Sequence, residues 1–321
     1  SHEQGAAHAA DGYARSTGKV GVCLATSGPG ATNLVTGVAT AYMDSVPMVA
    51  ITGNVQVDML GKDSFQEVDI QGITMPVTKH NYMIKDINKL ADVIREAFYI
   101  AKSGRPGPVL IDIPKNLTWE TAEYEYCEPK EYFPPTDINI NDRIYELIEN
   151  AERPMIIAGG GVVRSGANKE LVEFSEKIGA QVSCTLMGIG AMPYSHPNYM
   201  GKIGMHGSLV SNRAINESDL LLVIVGRFSD RVVGKESGFA EKAINIHIDI
   251  DPAEINKNVV VDESIHGDIK VVLNEMMDKI NEKPAKAWKK YVDELRATVG
   301  HTTDSTSLNV PFLLIQIAKR G

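Results

Sequence analysis

Short apolar runs alternate with helix-like patterns along almost the whole chain, and this alternation limits the fold more than any other feature. A strand buried on both faces reads as an unbroken apolar run, whereas a helix repeats its apolar positions every three or four residues. In the first third, Glu3 to Arg15 is alanine-rich and helical, closed by Gly18. Val20 to Thr26 then reads as a strand buried on both faces, and Ser27-Gly28-Pro29-Gly30 turns into a helix over Ala31 to Tyr42. Pro47 to Thr52 and Val109 to Ile113 are two further strands. Between them lie a glycine-punctuated loop, Gly53 to Gln66, and an amphipathic helix, Asn88 to Lys102, with Leu90, Val93, Ile94 and Ala97 on one face.

From Lys115 to about Asn139 neither period holds; Pro129, Pro134 and Pro135 mark an extended linker. A second alternating unit starts near Asn141. Its strands are expected at Met155 to Ala158, Gln181 to Thr185, Leu220 to Val225 and Ile244 to Ile250. Its helices are expected at Lys169 to Ile178, Leu209 to Asn216 and Ile269 to Ile280. A helical segment, Ala285 to Ala297, follows, and the apolar run Val310 to Ile317 reads as an element just beginning. Strands alternating with helices imply an α/β fold with parallel sheets and helices on both faces. The expected division is 1–116, a linker 117–139, a second domain 140–283, and 284–321 leading out of it.

Composition excludes several partners. With 41 acidic and 32 basic residues, the net charge of −9 argues against a nucleic-acid or acidic-membrane surface, either of which needs a basic face. The longest apolar run, Leu220 to Val225, falls far short of the roughly 20 residues of a membrane helix. Cys23, Cys127 and Cys184 have neither disulfide nor metal spacing, which fits a reducing cytoplasm.

Several residues carry chemistry, each beside a plainer reading. Glu3 is either an acid favoured by the dipole in a first helical turn or a buried carboxylate with a raised pKa, since Ala6, Ala7, Ala9 and Ala10 offer it little polar company. Ser27-Gly28-Pro29-Gly30 is a plain turn or a close backbone approach for a ligand at a helix N-terminus. Gly159-Gly160-Gly161 follows the first strand of the second unit, where such folds bind nucleotides; Arg164 occupies the last glycine position of G-x-G-x-x-G, so the match is incomplete. Gly226-Arg227-Phe228-Ser229-Asp230-Arg231 is either a phosphate-pairing loop or a solvated one with Arg and Asp paired. Asp249 is a ribose-binding acid, or the Asp249–Asp251 stretch caps a turn before Pro252. Gly204-Met205-His206-Gly207 lines a flat ring or makes a turn. No metal cluster, nucleophile elbow or Walker sequence is present.

The first 53 residues, SHEQGAAHAADGYARSTGKVGVCLATSGPGATNLVTGVATAYMDSVPMVAITG, resemble the thiamine-diphosphate-dependent decarboxylases and carboligases. The resemblance continues through Ser64 to Glu67 (SFQE), Thr78 to Tyr82, Ser103 to Lys115, IGMHG, GRFSDRV and HIDIDPAEI to about Ile280, and is strongest with a biosynthetic branch that carries FAD. It implies a thiamine-pyrimidine-binding domain, truncated at its start, followed by a Rossmann-like central domain. The implied activity decarboxylates pyruvate and transfers the acetaldehyde unit to a second 2-ketoacid, pyruvate or 2-ketobutyrate.

In that family the glutamate matching Glu3 bonds the cofactor's aminopyrimidine, and Gly28, Pro29 and Gln66 lie beside it. Phe65, Lys115, Asp230 and Arg231 match substrate-side positions. FAD, which keeps its redox state, is implied at Ser45, Arg105, Gly159, Gly160, Thr185, Leu186, Ile203, Gly204, Met205, His206, Gly226, Arg227, Phe228, Ser229, Asp249, Ile250, Asp268 and Ile269. Assembly as a homodimer or tetramer, with the site between subunits, and a regulatory small subunit are also implied.

The family often has Arg at the position of Ser1, Pro-Arg-Arg at Gln56-Val57-Asp58 and an acid at Ser229. Its Gly-Asp-Gly…Asn segment, which binds the diphosphate and Mg²⁺, and the strand before Glu3 have no counterpart here. The expectation is therefore an internal fragment of a longer subunit, inactive alone, with Mg²⁺ ligands elsewhere. Glyoxylate carboligase, pyruvate oxidase and a noncatalytic FAD-binding module are the alternatives.

Overall fold

A computed structural model of the protein describes residues 2–234 and 238–298. Ser1 and the run Val310 to Ile317 lie outside the described residues. The chain divides into two compact units, Ser1–Pro134 and Pro135–Gly321.

The first unit contains α1 (Glu3–Thr17), β1 (Gly21–Ala25), α2 (Pro29–Asn33), α3 (Val35–Met43), β2 (Met48–Asn54), α4 (Ile70–Thr74), β3 (His80–Met83), α5 (Leu90–Lys102) and β4 (Pro108–Pro114). The strands form one parallel sheet in the order β1-β2-β4-β3. α1 starts at His2, whose Nδ1 accepts from Gln4 N, and stops at Gly18 in the left-handed region. Its alanines matter for packing: Ala7 comes so close to α3 that a Cβ on Gly37 would lie 2.4 Å from the Ala7 Cβ. Ala7, Ala10, Cys23, Ala25, Met48, Ala50 and Leu110 make one core, beneath α1 and α3. Val49, Ala97, Ala101, Val109 and Ile111 make the other, beneath α5. Lys79 Nζ closes α5 by donating to the carbonyls of Ile100 and Ser103.

Three expectations need correction here. β1 is not buried on both faces: it is an edge strand of the described sheet and turns Val22 and Leu24 outward, Leu24 being 70% exposed. The helix expected over Ala31 to Tyr42 is two helices, broken at Leu34. β3 and α4 were not expected at all, because HNYM and IQGIT are too short and mixed to show a period.

The second unit contains α6 (Asp142–Asn150), β5 (Pro154–Ala158), α7 (Gly160–Arg164), α8 (Asn168–Lys177), β6 (Gln181–Cys184), β7 (Tyr199–Lys202), α9 (Leu209–Glu217), β8 (Leu220–Ile224), α10 (Asp230–Val233), β9 (Ile244–Asp249), β10 (Glu263–His266), α11 (Ile269–Lys279) and α12 (Lys286–Thr298). Its sheet is parallel throughout, in the order β10-β9-β8-β5-β6-β7. The chain winds outward from β5 through β6 to β7, returns to β8, and winds the other way to β10. This is the strand order of dinucleotide-binding sheets, with its switch point between β5 and β8. One core, around Ile156, Leu222 and Ile246, is covered by α6, α8 and α11 through Ile144, Phe174 and Val272. The other, around Ile157, Leu221 and Val223, is covered by α9 and α12 through Ile215, Trp288 and Val292. Residues 286–298 therefore do not lead out of the second unit: Trp288 is 2% exposed, and its indole N–H donates to Pro154 O at 3.1 Å. Among the described residues no helix is long and apolar enough to cross a membrane.

Candidate functional site

The carboxyl end of a parallel sheet is where ligands bind in open α/β folds. In the first unit this end gathers Glu3, Gly28 and Gln66, which are far apart in sequence. Glu3 opens α1, and Asn33, the last residue of α2, donates from Nδ2 to Glu3 Oε2 at 3.0 Å. The other oxygen, Oε1, faces Gly30, where a Cβ would stand 3.6 Å from it. Glu3 is only half-buried, and the Asn33 hydrogen bond holds its pKa below the ordinary glutamate value. The desolvated carboxyl with a raised pKa is thus not what the structure shows, because an amide donor stabilises the charged form and α1 leaves the group in contact with water.

Gly28 has φ +60° and ψ −119°, a conformation essentially reserved for glycine. It also meets Gln66: a Cβ would lie 2.8 Å from Gln66 O and 2.9 Å from its Cβ. Gln66 itself has φ +61°, uncommon for a residue with a side chain. Phe65 beside it is 88% exposed. Pro29 is exposed at the first turn of α2. Lys115 is also exposed, at the carboxyl end of β4, with its ammonium 5.2 Å from the centre of the Trp119 ring. Ser45 and Arg105 lie elsewhere, at the amino ends of β2 and β4, where Arg105 Nε donates to Ser45 Oγ at 2.8 Å.

In the second unit every expected nucleotide-side residue falls in a segment at the carboxyl end of one of the six strands. Gly159 and Gly160 follow β5, Thr185 and Leu186 follow β6, and Ile203 to His206 follow β7. Gly226 to Arg231 follow β8; Asp249 ends β9, with Ile250 next; Asp268 and Ile269 follow β10. The loops interlock. A Cβ on Gly159 would stand 2.0 Å from Val225 O, and one on Gly204 2.3 Å from Arg231 O. The glycines are therefore needed for loop-on-loop packing as well as for any ligand. Val225 and Phe228, both at φ +46°, flank Gly226-Arg227 at the switch point. Such strained residues gather at binding sites.

Some expected residues present backbone rather than side chain to this end. Phe228 is buried, its ring edge-on to His247 and Phe239. Ile203 and Ile269 are core residues. Asp249 is buried, and its Oδ1 accepts from Asp251 N at 2.9 Å. Asp268 caps α11, accepting from Lys270 N and Val271 N. Thr185 accepts from Gly188 N. Asp230 and Arg231 lie 3.6 Å apart on the surface, as the plainer reading of that loop expects. Leu186 and Met205 expose apolar surface at this end of the sheet, the chemistry a flat ring system needs. His206, next to Met205 in sequence, is exposed, and Met205 N donates to Arg231 O, which draws two loops together.

Sequence reasoning missed Asn33, because nothing in GATNL marks a partner 30 residues earlier. It also missed Asp112, buried against Thr52 and Asn54 of β2. Burial raises the thiols of Cys23 to about 11 and Cys184 to about 12, which leaves both inert near neutral pH.

Comparison with known proteins is consistent with this geometry. Residues 1–73 match the thiamine pyrophosphate enzyme N-terminal TPP binding domain, and residues 141–276 match the thiamine pyrophosphate enzyme central domain. The chain is 50% identical over 289 residues to acetolactate synthase of Arthrospira platensis, covering 87% of this chain and 50% of that protein. It is 50% identical over 292 residues to the probable acetolactate synthase large subunit of Methanococcus aeolicus, 87% and 48% of the two lengths. It is 47% identical over 308 residues to the acetolactate synthase large subunit of Corynebacterium glutamicum, 92% and 49%. The chain thus spans about half the length of these curated relatives.

Proposed function

The chain belongs to the thiamine pyrophosphate enzymes, of which it carries an N-terminal and a central domain, and from that premise we propose that its parent protein is the catalytic subunit of an acetolactate synthase. The activity is decarboxylation of pyruvate and transfer of the acetaldehyde unit to pyruvate or 2-ketobutyrate, giving 2-acetolactate or 2-aceto-2-hydroxybutyrate. One observation carries this reading: Glu3, Gly28 and Gln66, drawn from three separate elements, come together at the carboxyl end of the first sheet.

Thiamine diphosphate, when bound, supplies an acidic ring carbon and an electron sink for decarboxylation. The residues fit its pyrimidine end. Gly28 and Gly30 leave no Cβ beside Gln66 and Glu3, so a flat ring can approach the backbone. Glu3 keeps Oε1 for a ring nitrogen while Asn33 holds Oε2. Enclosing the carboxyl beneath a ring removes water and moves its pKa upward, the direction that lets it hold a proton there. Gln66 presents an amide to the substrate side, Phe65 an apolar wall, and Lys115 a cation for a 2-ketoacid carboxylate.

FAD is part of the proposal as a bound, redox-silent group. The switch-point loops with Arg227, Leu186 and Met205 would hold it; the family resemblance also assigns Ser45 and Arg105 to FAD. Among the described residues no His, Cys, Asp or Glu cluster is arranged for a metal, so Mg²⁺ enters only as the companion of the diphosphate. A homodimer or tetramer, a regulatory small subunit and a cytoplasmic location belong to the same reading. The relatives' designation as large subunits supports the small subunit, and three free cysteines support the compartment.

The test uses the full-length protein with thiamine diphosphate, Mg²⁺ and FAD. Pyruvate should yield 2-acetolactate, and Glu3→Gln should cut kcat by at least about a hundredfold. Consumption of glyoxylate in place of pyruvate, or oxidation of pyruvate without carbon–carbon bond formation, would refute the assignment in favour of another family member.

A further inference from the structure

Asp112, near the end of β4, is fully buried on the face of the sheet that carries α1 and α3. Its Oδ1 accepts from Thr52 Oγ1 at 2.7 Å and its Oδ2 from Asn54 Nδ2 at 2.5 Å, both residues being on β2. Asn54 is the last residue of that strand, and its Oδ1 accepts from Val55 N at 2.8 Å. The Asn54 amide is therefore held at both ends, between the buried carboxyl and the first residue of the loop that carries Gln66. Farther along, Val57 N donates to Asn116 Oδ1 at 3.0 Å. The Glu67 carboxylate gathers the N–H groups of Gly61 and Ser64, and so folds the loop onto itself beside Gln66.

We propose that Asp112 is a positioning residue for Gln66, acting through Asn54 to hold the loop 55–69 against the sheet. The importance of Gln66 rests on the carboligase reading; the hold on the loop does not.

The direction of its pH dependence follows from its surroundings. Thr52 and Asn54 face it from β2, Met83 is its register partner on β3, and Asp69, at the start of α4, is the charged side chain that acts on it. Burial and then Asp69 push its pKa up to about 6, against the pull of the Asn54 and Thr52 hydrogen bonds. Where opening the loop lets water reach the carboxyl, the largest cause of its raised pKa is relieved, so the open state holds the proton less tightly than the closed one. Ionisation therefore favours opening, and the loop is held most firmly below pH 6.

Hydrogen–deuterium exchange of the full 321-residue chain, corrected for intrinsic rates, tests this. Peptides from 55–69 should exchange roughly tenfold to a hundredfold faster at pH 7.5 than at pH 5, while α5, on the opposite face of the sheet, stays unchanged. Asp112→Asn should remove the pH step and leave the loop protected, since an amide can still accept from Asn54. Asn54→Ala should leave the loop fast at both pH values. Equal protection of the wild-type loop at the two pH values, or an Asn54→Ala loop as protected as wild type at pH 5, overturns the proposal. Exchange needs neither cofactor nor turnover. A pH-stepped loop in a protein that makes no acetolactate would sink the carboligase reading alone, and a flat loop in an active enzyme would sink this inference alone.

Discussion

Glu3 and Asp112 show how one side-chain type acquires opposite properties from its neighbours. Glu3 receives an amide N–H and keeps contact with water, so its pKa lies low. Asp112 receives two donors, yet complete burial outweighs them and its pKa rises to about 6. For Glu3, Asn33→Ala should move the carboxyl pKa back up toward the ordinary value, as read by NMR titration of the carboxyl carbon. An unchanged titration would mean that Asn33 does not govern it. For Asp112 the folded chain holds the proton more tightly than the unfolded one, so stability is full below about pH 4 and falls as pH rises to about 6. Asp112→Asn should accordingly gain up to about 3 kcal/mol relative to wild type between pH 4 and pH 7.5 in denaturant unfolding. Glu3 and Gln66 were legible as motif residues. Asn33 and Asp112 were not, because each matters through a partner that only folding brings near: Glu3, 30 residues back, and Thr52, 60 residues back.

Among elements, the central strands were readable, and of the outer ones only β1 was. β2, β4, β5 and β8 are covered on both faces and so read as apolar runs. β3, β7 and β10 sit at or near sheet edges, carry His80, Lys202 and Glu263, and show no period. Polar edge strands are ordinary protection against pairing with other chains, and this property hides them from pattern reading. The loops have their own requirements. Gly28→Ala would combine a disfavoured φ with a Cβ 2.8 Å from Gln66 O. It should destabilise the first unit by about 2 kcal/mol or more and displace the Gln66 loop. Thermal unfolding and exchange of 55–69 measure both effects. Gly159→Ala drives a Cβ into Val225 O at 2.0 Å and should be at least as damaging in the second unit.

At the scale of the whole molecule, two units with separate cores follow one another in sequence. Limited proteolysis should cut first between 120 and 139, where no helix or strand protects the backbone, and mass spectrometry of the products locates the cut. Trp288 is buried in the second unit whereas Trp119 is exposed in the first, so the emission shift on unfolding should report the second unit. Trp288→Ala should cost about 3–5 kcal/mol there and release α12 from its core.

By itself the sequence determined the α/β class, the two-part order of the chain and most of the central elements. It also marked the glycine and acid motifs that lie at the strand ends. Those properties are local: a period, a run or a turn residue is written in neighbours along the chain. Only the tertiary structure decided the strand orders, and with them the switch point between β5 and β8. It alone joined Glu3 to Asn33, set Gly28 against Gln66, and buried Asp112 against Thr52 and Asn54. Each of these pairs residues across tens of positions, so their chemistry depends on distance and solvent exclusion that no local pattern encodes.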